Sequence, residues 1–173
     1  MKEYLIVDGY NIIGAWPELQ RLKEIELVEA RDRLIEILAE YQAYSGIRVL
    51  LVFDAYRVPG LAVKLEQNRL AIYYTKEKET ADERIERLVN ELSGRFTRIY
   101  VATSDMVEQN VIFGKGALRI SAAELLVKVR LSRKEIGKEL EKRTVSKRNS
   151  FDAALSPEIK QLFEKWRRGD HES

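Results

Sequence analysis

Two periodicities alternate along the chain. Short apolar runs, "YLIV" (4–7), "RVLLVF" (48–53), "LAIYYT" (70–75), "RIYVAT" (98–103) and "LRIS" (118–121), read as strands. Between them, apolar residues recur at helical spacing. Leu19, Leu22, Ile25, Val28, Leu34, Ile35, Leu38 and Tyr41 predict one long helix over about 17–44, closed by Gly46. "TADERIERLVNEL" (80–92) predicts a second helix, with Thr80 as N-cap and Glu83 three residues on, the spacing of a capping box. A short helix is expected from Asp105, and "AAELLVKVRL" (122–131) opens another. "RVLLVF" carries no polar alternation, which suits a strand buried on both faces. Strands alternating with helices predict an α/β fold: a parallel sheet covered on both faces, joined by right-handed crossovers.

The pattern changes after about Leu131. Residues 132–151 are polar, basic and weakly periodic, and "SPEIKQLFEKWRR" (156–168) predicts a terminal helix with Pro157 in its first turn. This divides the chain into a domain over 1–131 and a basic, mostly helical extension over 132–173. Charge follows the same division. Residues 1–127 hold 17 Lys and Arg against 20 Asp and Glu, whereas residues 128–168 hold 13 against 6. A basic segment on a mildly acidic body suits a polyanionic partner, although a solvated helix rich in lysine has the same composition.

Composition then narrows the chemistry. There is no cysteine, and the single histidine is His171, near the C-terminus. Disulfides and thiolate zinc sites are excluded, and a histidine-assisted nucleophile is hard to build. No apolar run approaches the ~18 residues of a membrane span, and no basic-then-apolar leader opens the chain, so a cytoplasmic protein is expected. Carboxylates remain. Asp8 follows the first strand, Asp54 the second and Asp105 the fourth, while Asp82 lies in the first turn of the helix after the third. Ligands of open parallel sheets bind beyond the carboxyl ends of the strands. One such carboxylate is readily explained as a cap or a turn residue. Four at one edge would repel one another unless a cation lay among them, and an all-oxygen donor set suits Mg²⁺ or Mn²⁺. Gly9 is expected to let the backbone turn sharply. Asn11 and Ser104 are placed to orient the ligands. Glu83 either serves only its cap, the favoured reading, or joins the ligands, and Asp54 either joins them or only anchors the loop to Tyr56 and Arg57.

"DGYNIIGAWPEL", "VFDAYRVPG", "YTKEKETADERIE" and "VATSDMVEQNVIFGKGALRISAAEL" together resemble the YacP group of NYN-domain proteins, within the PIN-like nucleases. The match runs from about residue 3 to 128 in order and spacing. It implies a PIN-like three-layer α/β/α sandwich and a metal-dependent endoribonuclease of bacterial mRNA decay that works with the ribosome. Asp8, Asp82 and Asp105 fall on the family's catalytic metal ligands, with Asn11 and Ser104 beside them. The fourth acidic position of the wider pattern falls to Glu83 or Asp54. On this reading metal-activated water cleaves single-stranded mRNA. Arg57, Lys115, Lys142, Arg143, Lys147 and Arg148 would hold the RNA. Tyr10, Trp16 and Tyr56 sit where an aromatic ring either stacks on a base or packs against a helix; packing is expected for Trp16.

Two other classes compete. A phospho-acceptor receiver would use Asp54 as acceptor, Thr103 or Ser104 as hydroxyl and Lys115 nearby. It would place two acids after the first strand, where "VDGY" has one, and would leave Asp82 and Asp105 without a role. A non-catalytic RNA-binding module would need the basic extension alone. A phosphatase with an aspartate nucleophile would want an acid where Tyr10 stands.

Overall fold

The structure, a computed structural model, describes residues 1–54, 64–67, 69–76, 78–104 and 116–154; for 64–67 and 147–154 it describes the backbone alone. Its elements, in chain order, are β1 (Lys2–Asp8), α1 (Gly9–Ala15), α2 (Pro17–Ile25), α3 (Leu27–Ser45), β2 (Arg48–Phe53), β3 (Lys64–Gln67), β4 (Leu70–Tyr74), α4 (Ala81–Leu92), β5 (Thr97–Ala102), β6 (Leu118–Ile120) and α5 (Ala122–Ala154). The strands form one sheet in the order β3-β4-β2-β1-β5-β6. Every pairing is parallel except β3 with β4. The chain works outward from β1 through β2 to β4, then crosses to the other side of β1 for β5 and β6. The order therefore reverses between β1 and β5, which is where an open sheet of this kind leaves a crevice.

Both faces of the sheet are covered, so the central strands are apolar throughout. Leu5, Val7, Val49, Leu51 and Phe53 face one layer, packed with Ile12, Leu19, Leu34, Leu38, Leu125 and Val129 of α1, α2, α3 and α5. Ile6, Leu50, Val52, Ile99 and Val101 face the other, packed with Ile85, Leu88 and Val89 of α4. Adjacent residues of one strand go to opposite layers, as the pleat requires. The result is a three-layer α/β/α sandwich. The chain's contacts divide it into two compact units, Met1–Arg133 and Lys134–Ser173; the sheet, α1 to α4 and the start of α5 belong to the first. No helix of the described residues is long and apolar enough to cross a membrane.

The expected long helix over 17–44 is two helices. Glu26 is extended (φ −158°, ψ 129°) and ends α2, and α3 starts at Leu27. Arg33 Nε lies 2.8 Å from Glu18 Oε1. On one straight helix those residues, fifteen apart, would be separated by roughly 22 Å, so α2 folds back on α3. Ile25 and Val28, counted in the apolar stripe, are exposed at this corner. Gly46 does close α3, in the left-handed conformation (φ 76°). Two elements have no counterpart in the sequence pattern. One is α1, immediately after β1. The other is β3, an edge strand of sequence KLEQ. The strand after it is anchored by Gln42, whose Nε2 donates to Arg69 O (2.9 Å) and whose Oε1 accepts from Val49 N (2.8 Å). The helix expected from Asp105 and the one expected over 156–168 lie outside the described residues.

Candidate active site

The crevice is assembled from the carboxyl ends of three strands. β1 ends at Asp8, which stands in extended conformation (φ −77°, ψ 99°) as the N-cap of α1. Its Oδ1 accepts from Asn11 N at 3.5 Å, a long bond. Capping thus explains part of why a carboxylate stands here, as it does for aspartates generally. Gly9 follows as the first residue of α1 and is buried. The expectation that it permits a sharp turn is corrected: its φ is not positive. What excludes a side chain is Phe53, whose Cε1 would lie 2.4 Å from a Cβ built at Gly9. That ring is in turn packed between Tyr10 and Tyr74, with centroids 5.0 and 5.6 Å away.

Asn11 ties two strand ends together. Its Oδ1 accepts from the backbone N–H of Ser104 (2.9 Å) and from the Ser104 hydroxyl (3.1 Å). Ser104 follows β5, the parallel neighbour of β1, so this amide spans the point where the strand order reverses. On the other side of β1, β2 leads directly into Asp54. Asp82 arrives from the first turn of α4. There Thr80 Oγ1 accepts from Glu83 N at 3.1 Å, the half of the expected capping box formed by the N-cap.

Asp8, Tyr10, Asn11, Asp54, Thr80 and Asp82 line one cleft of about 430 Å³. Three of the four acids singled out in the sequence therefore share it. Glu83 is exposed on α4 and does not line it, whereas Asp54 does. Among the described residues no three carboxylates come close enough to hold one metal ion. Asp105 lies outside the described residues, as do Tyr56, Arg57 and Lys115. The donor chemistry is nonetheless that of a hard cation: carboxylates, an amide and a hydroxyl at one opening, with no sulfur or imidazole. Trp16 is turned away from this role. It is buried at 2% exposure and its indole N–H donates to Ala122 O at 2.8 Å. Lys142 and Arg143 are exposed on α5; the side chains of Lys147 and Arg148 are outside the description.

Two contributors were not singled out in the sequence. Arg31 of α3 donates from Nη1 to the Tyr10 hydroxyl at 3.2 Å and so orients an aromatic ring on the cleft wall. The Tyr74 phenol, behind Phe53, has its pKa pushed up by burial, with Arg31 acting the other way. Glu79, one residue before the α4 cap, is buried and ion-paired with Arg84 and Arg87. "TKEKET" reads as a solvated charge run, and nothing in that string marks the one carboxylate that goes inside.

A mostly parallel α/β/α sandwich with aspartates gathered at the carboxyl edge of its sheet has the build of a PIN-like, nuclease-type fold. The chain belongs to the YacP-like NYN domain family, whose model matches residues 5–168. That span takes in the C-terminal extension as well as the stretch to about residue 128 on which the resemblance was seen. The chain is 52% identical, over 168 residues, to the uncharacterized protein YacP of Bacillus subtilis (strain 168), covering 97% of this chain and 98% of the other. Two crystal structures of Rae1 (YacP) from Bacillus subtilis are also similar. One is 53% identical with a TM-score of 0.74, covering 96% of this chain and 95% of the other. The second, a tryptophan-to-leucine variant, is 49% identical with a TM-score of 0.75, covering 98% and 97%. Family membership leaves the receiver reading without support.

Proposed function

We propose that the protein is a metal-dependent endoribonuclease that cleaves single-stranded mRNA in the cytoplasm, in association with the ribosome. The observation that carries this reading is the cleft at the carboxyl edge of the sheet lined by Asp8, Asp54 and Asp82, in a chain of a nuclease-type family. Asp8, Asp82 and Asp105 would hold Mg²⁺ or Mn²⁺, with Asp54 rather than Glu83 as the candidate fourth acid. When bound, the cation supplies an activated water and offsets the charge of the scissile phosphate. The protein's own groups do the rest. Asn11 holds the corner after β1 to the corner after β5 by accepting from the Ser104 N–H and hydroxyl. Tyr10, propped on Phe53 and bonded to Arg31, presents a ring on which an unpaired base can stack. Arg57, Lys115 and the basic residues Lys142, Arg143, Lys147 and Arg148 supply phosphate contacts. The ribosome enters through the resemblance to the YacP group, as the platform on which mRNA is presented.

The test is incubation of one mRNA with and without ribosomes in Mg²⁺, Mn²⁺ and EDTA. Cleavage is expected with either cation and none in EDTA, and Asp8→Asn is expected to abolish it while the protein remains folded. Cleavage by the wild type in EDTA would overturn the metal reading. Cleavage equally efficient on free RNA would remove the ribosome from it.

A further inference from the structure

Glu79 presents a puzzle of economy. Among the described residues it is the buried carboxylate, at 7% exposure, yet it does not line the cleft. Its Oε1 accepts from Arg84 Nε at 2.9 Å and its Oε2 from Arg87 Nη2 at 2.5 Å. Its own N–H donates to Lys76 O at 2.9 Å, closing the turn before α4. Arg84 also lies over the Tyr73 ring of β4, 5.9 Å from its centroid. The carboxylate thus binds the turn, the first two turns of the helix and, through Arg84, the sheet into one unit. Stability alone is a poor reason for it, since a buried ion pair is often no better than an apolar packing of the same volume. Helix capping is not the reason either, because Thr80 already caps α4. What the clamp does fix is the placement of the residues between its arms. Those are residues 80–83, of which Thr80, Ala81 and Asp82 line the cleft.

We infer that Glu79 is a positioning residue: by gripping Arg84 and Arg87 it holds the first turn of α4 still, and so sets Asp82 at the height where a divalent cation is bound. This rests on the metal-dependent reading above. Charge-assisted bonds of fixed geometry suit such a task, and residues that orient a ligand commonly change metal affinity ~10–100-fold when removed.

The experiment compares wild type with Glu79→Gln, Arg87→Gln, Arg87→Lys and, as a control, Arg33→Gln. The control breaks the surface pair with Glu18 between α2 and α3. Free Mn²⁺ is counted by electron paramagnetic resonance during titration, and amide hydrogen exchange is followed at residues 80–84. Glu79→Gln, folded by circular dichroism, should bind Mn²⁺ ~10–100-fold more weakly and exchange faster at 80–84. Arg87→Lys should stay near wild type, Arg87→Gln should fall between, and the control should leave both readouts unchanged. A folded Glu79→Gln that binds Mn²⁺ as tightly as wild type overturns the inference. Should Glu79→Gln fail to fold, Arg87→Gln is judged by the same criterion. If wild type itself binds no Mn²⁺, it is the metal reading that falls. Exchange then decides the clamp: unchanged protection at 80–84 overturns it, and faster exchange upholds it.

Discussion

Gly9 is fixed by a residue 44 positions away. A methyl group there would meet the Phe53 ring at 2.4 Å, and that ring has little room to yield between Tyr10 and Tyr74. Gly9→Ala should therefore destabilise the protein by about 1–3 kcal/mol, the usual range for overpacking. Phe53→Leu in the same background should lose less than the sum of the two single changes, a coupling that urea unfolding of the four proteins would reveal. No local signal carries this, because a glycine after a strand reads as a turn until the occupant of its missing side chain is known. The aspartates were more legible, since a carboxylate just beyond an apolar strand must lie at the sheet's carboxyl edge whatever the helices do. Glu79 was not, since its burial depends on where Arg84 and Arg87 point. Burial also raises the pKa of Tyr41, with Glu3 and Tyr100 adding to it, and that of Tyr74. Both phenols thus hold their protons in the folded state to higher pH than when unfolded. Their contribution is fully present below the ordinary tyrosine pKa of about 10 and is lost as pH rises through the folded values. The melting temperature should fall above that pH, and Tyr41→Phe with Tyr74→Phe should flatten the fall, as thermal scans across the alkaline range would show.

At the scale of elements, periodicity predicted what packs on the sheet and missed what joins it. β2 and α4 agree with their apolar patterns to within a residue, because α4 is long enough to show its period and β2 is a continuous apolar run buried on both faces. α1 has seven residues and two glycines, with Ile12 and Ile13 as its buried large side chains. β3 is a four-residue polar edge. Such segments form because their neighbours are in place. The break at Glu26 is of the same kind: the apolar stripe continues in the sequence, but α2 is drawn back onto α3. Trp16 holds the preceding corner, between α1 and α2, serving as the C-cap of α1 and the N-cap of α2 while its indole reaches the first residue of α5. Trp16→Phe removes that bond and part of the buried ring. It should cost about 1–3 kcal/mol, lowering the urea midpoint with an unchanged slope. If the slope also falls, α1 and α2 have detached as a separate unit rather than weakened in place.

Across the whole molecule, charge is distributed unlike apolar surface. The segment 128–168 carries 13 basic against 6 acidic residues, while the body to 127 is slightly acidic. α5 runs into this segment as one helix to Ala154. Among the described side chains of the helix, Lys138 meets Glu135 at 3.7 Å, and Lys142 and Arg143 are exposed. A helix so charged, within the span matched by the family model, suits contact with a phosphate backbone. Each phosphate neutralised steepens the dependence of log affinity on log salt by roughly 0.9 on duplex and 0.7 on single strands. Replacing Lys142, Arg143, Lys147 and Arg148 with Gln together should weaken RNA binding and flatten that slope by about two to four units. The cleft acids lie elsewhere in the chain, so the rate of cleavage at saturating RNA should change little. Filter binding at a series of salt concentrations measures the first effect, and single-turnover cleavage the second. If the quadruple variant binds as tightly as wild type at every salt concentration, the extension is a solvated helix. RNA would then be held by the residues around the cleft alone.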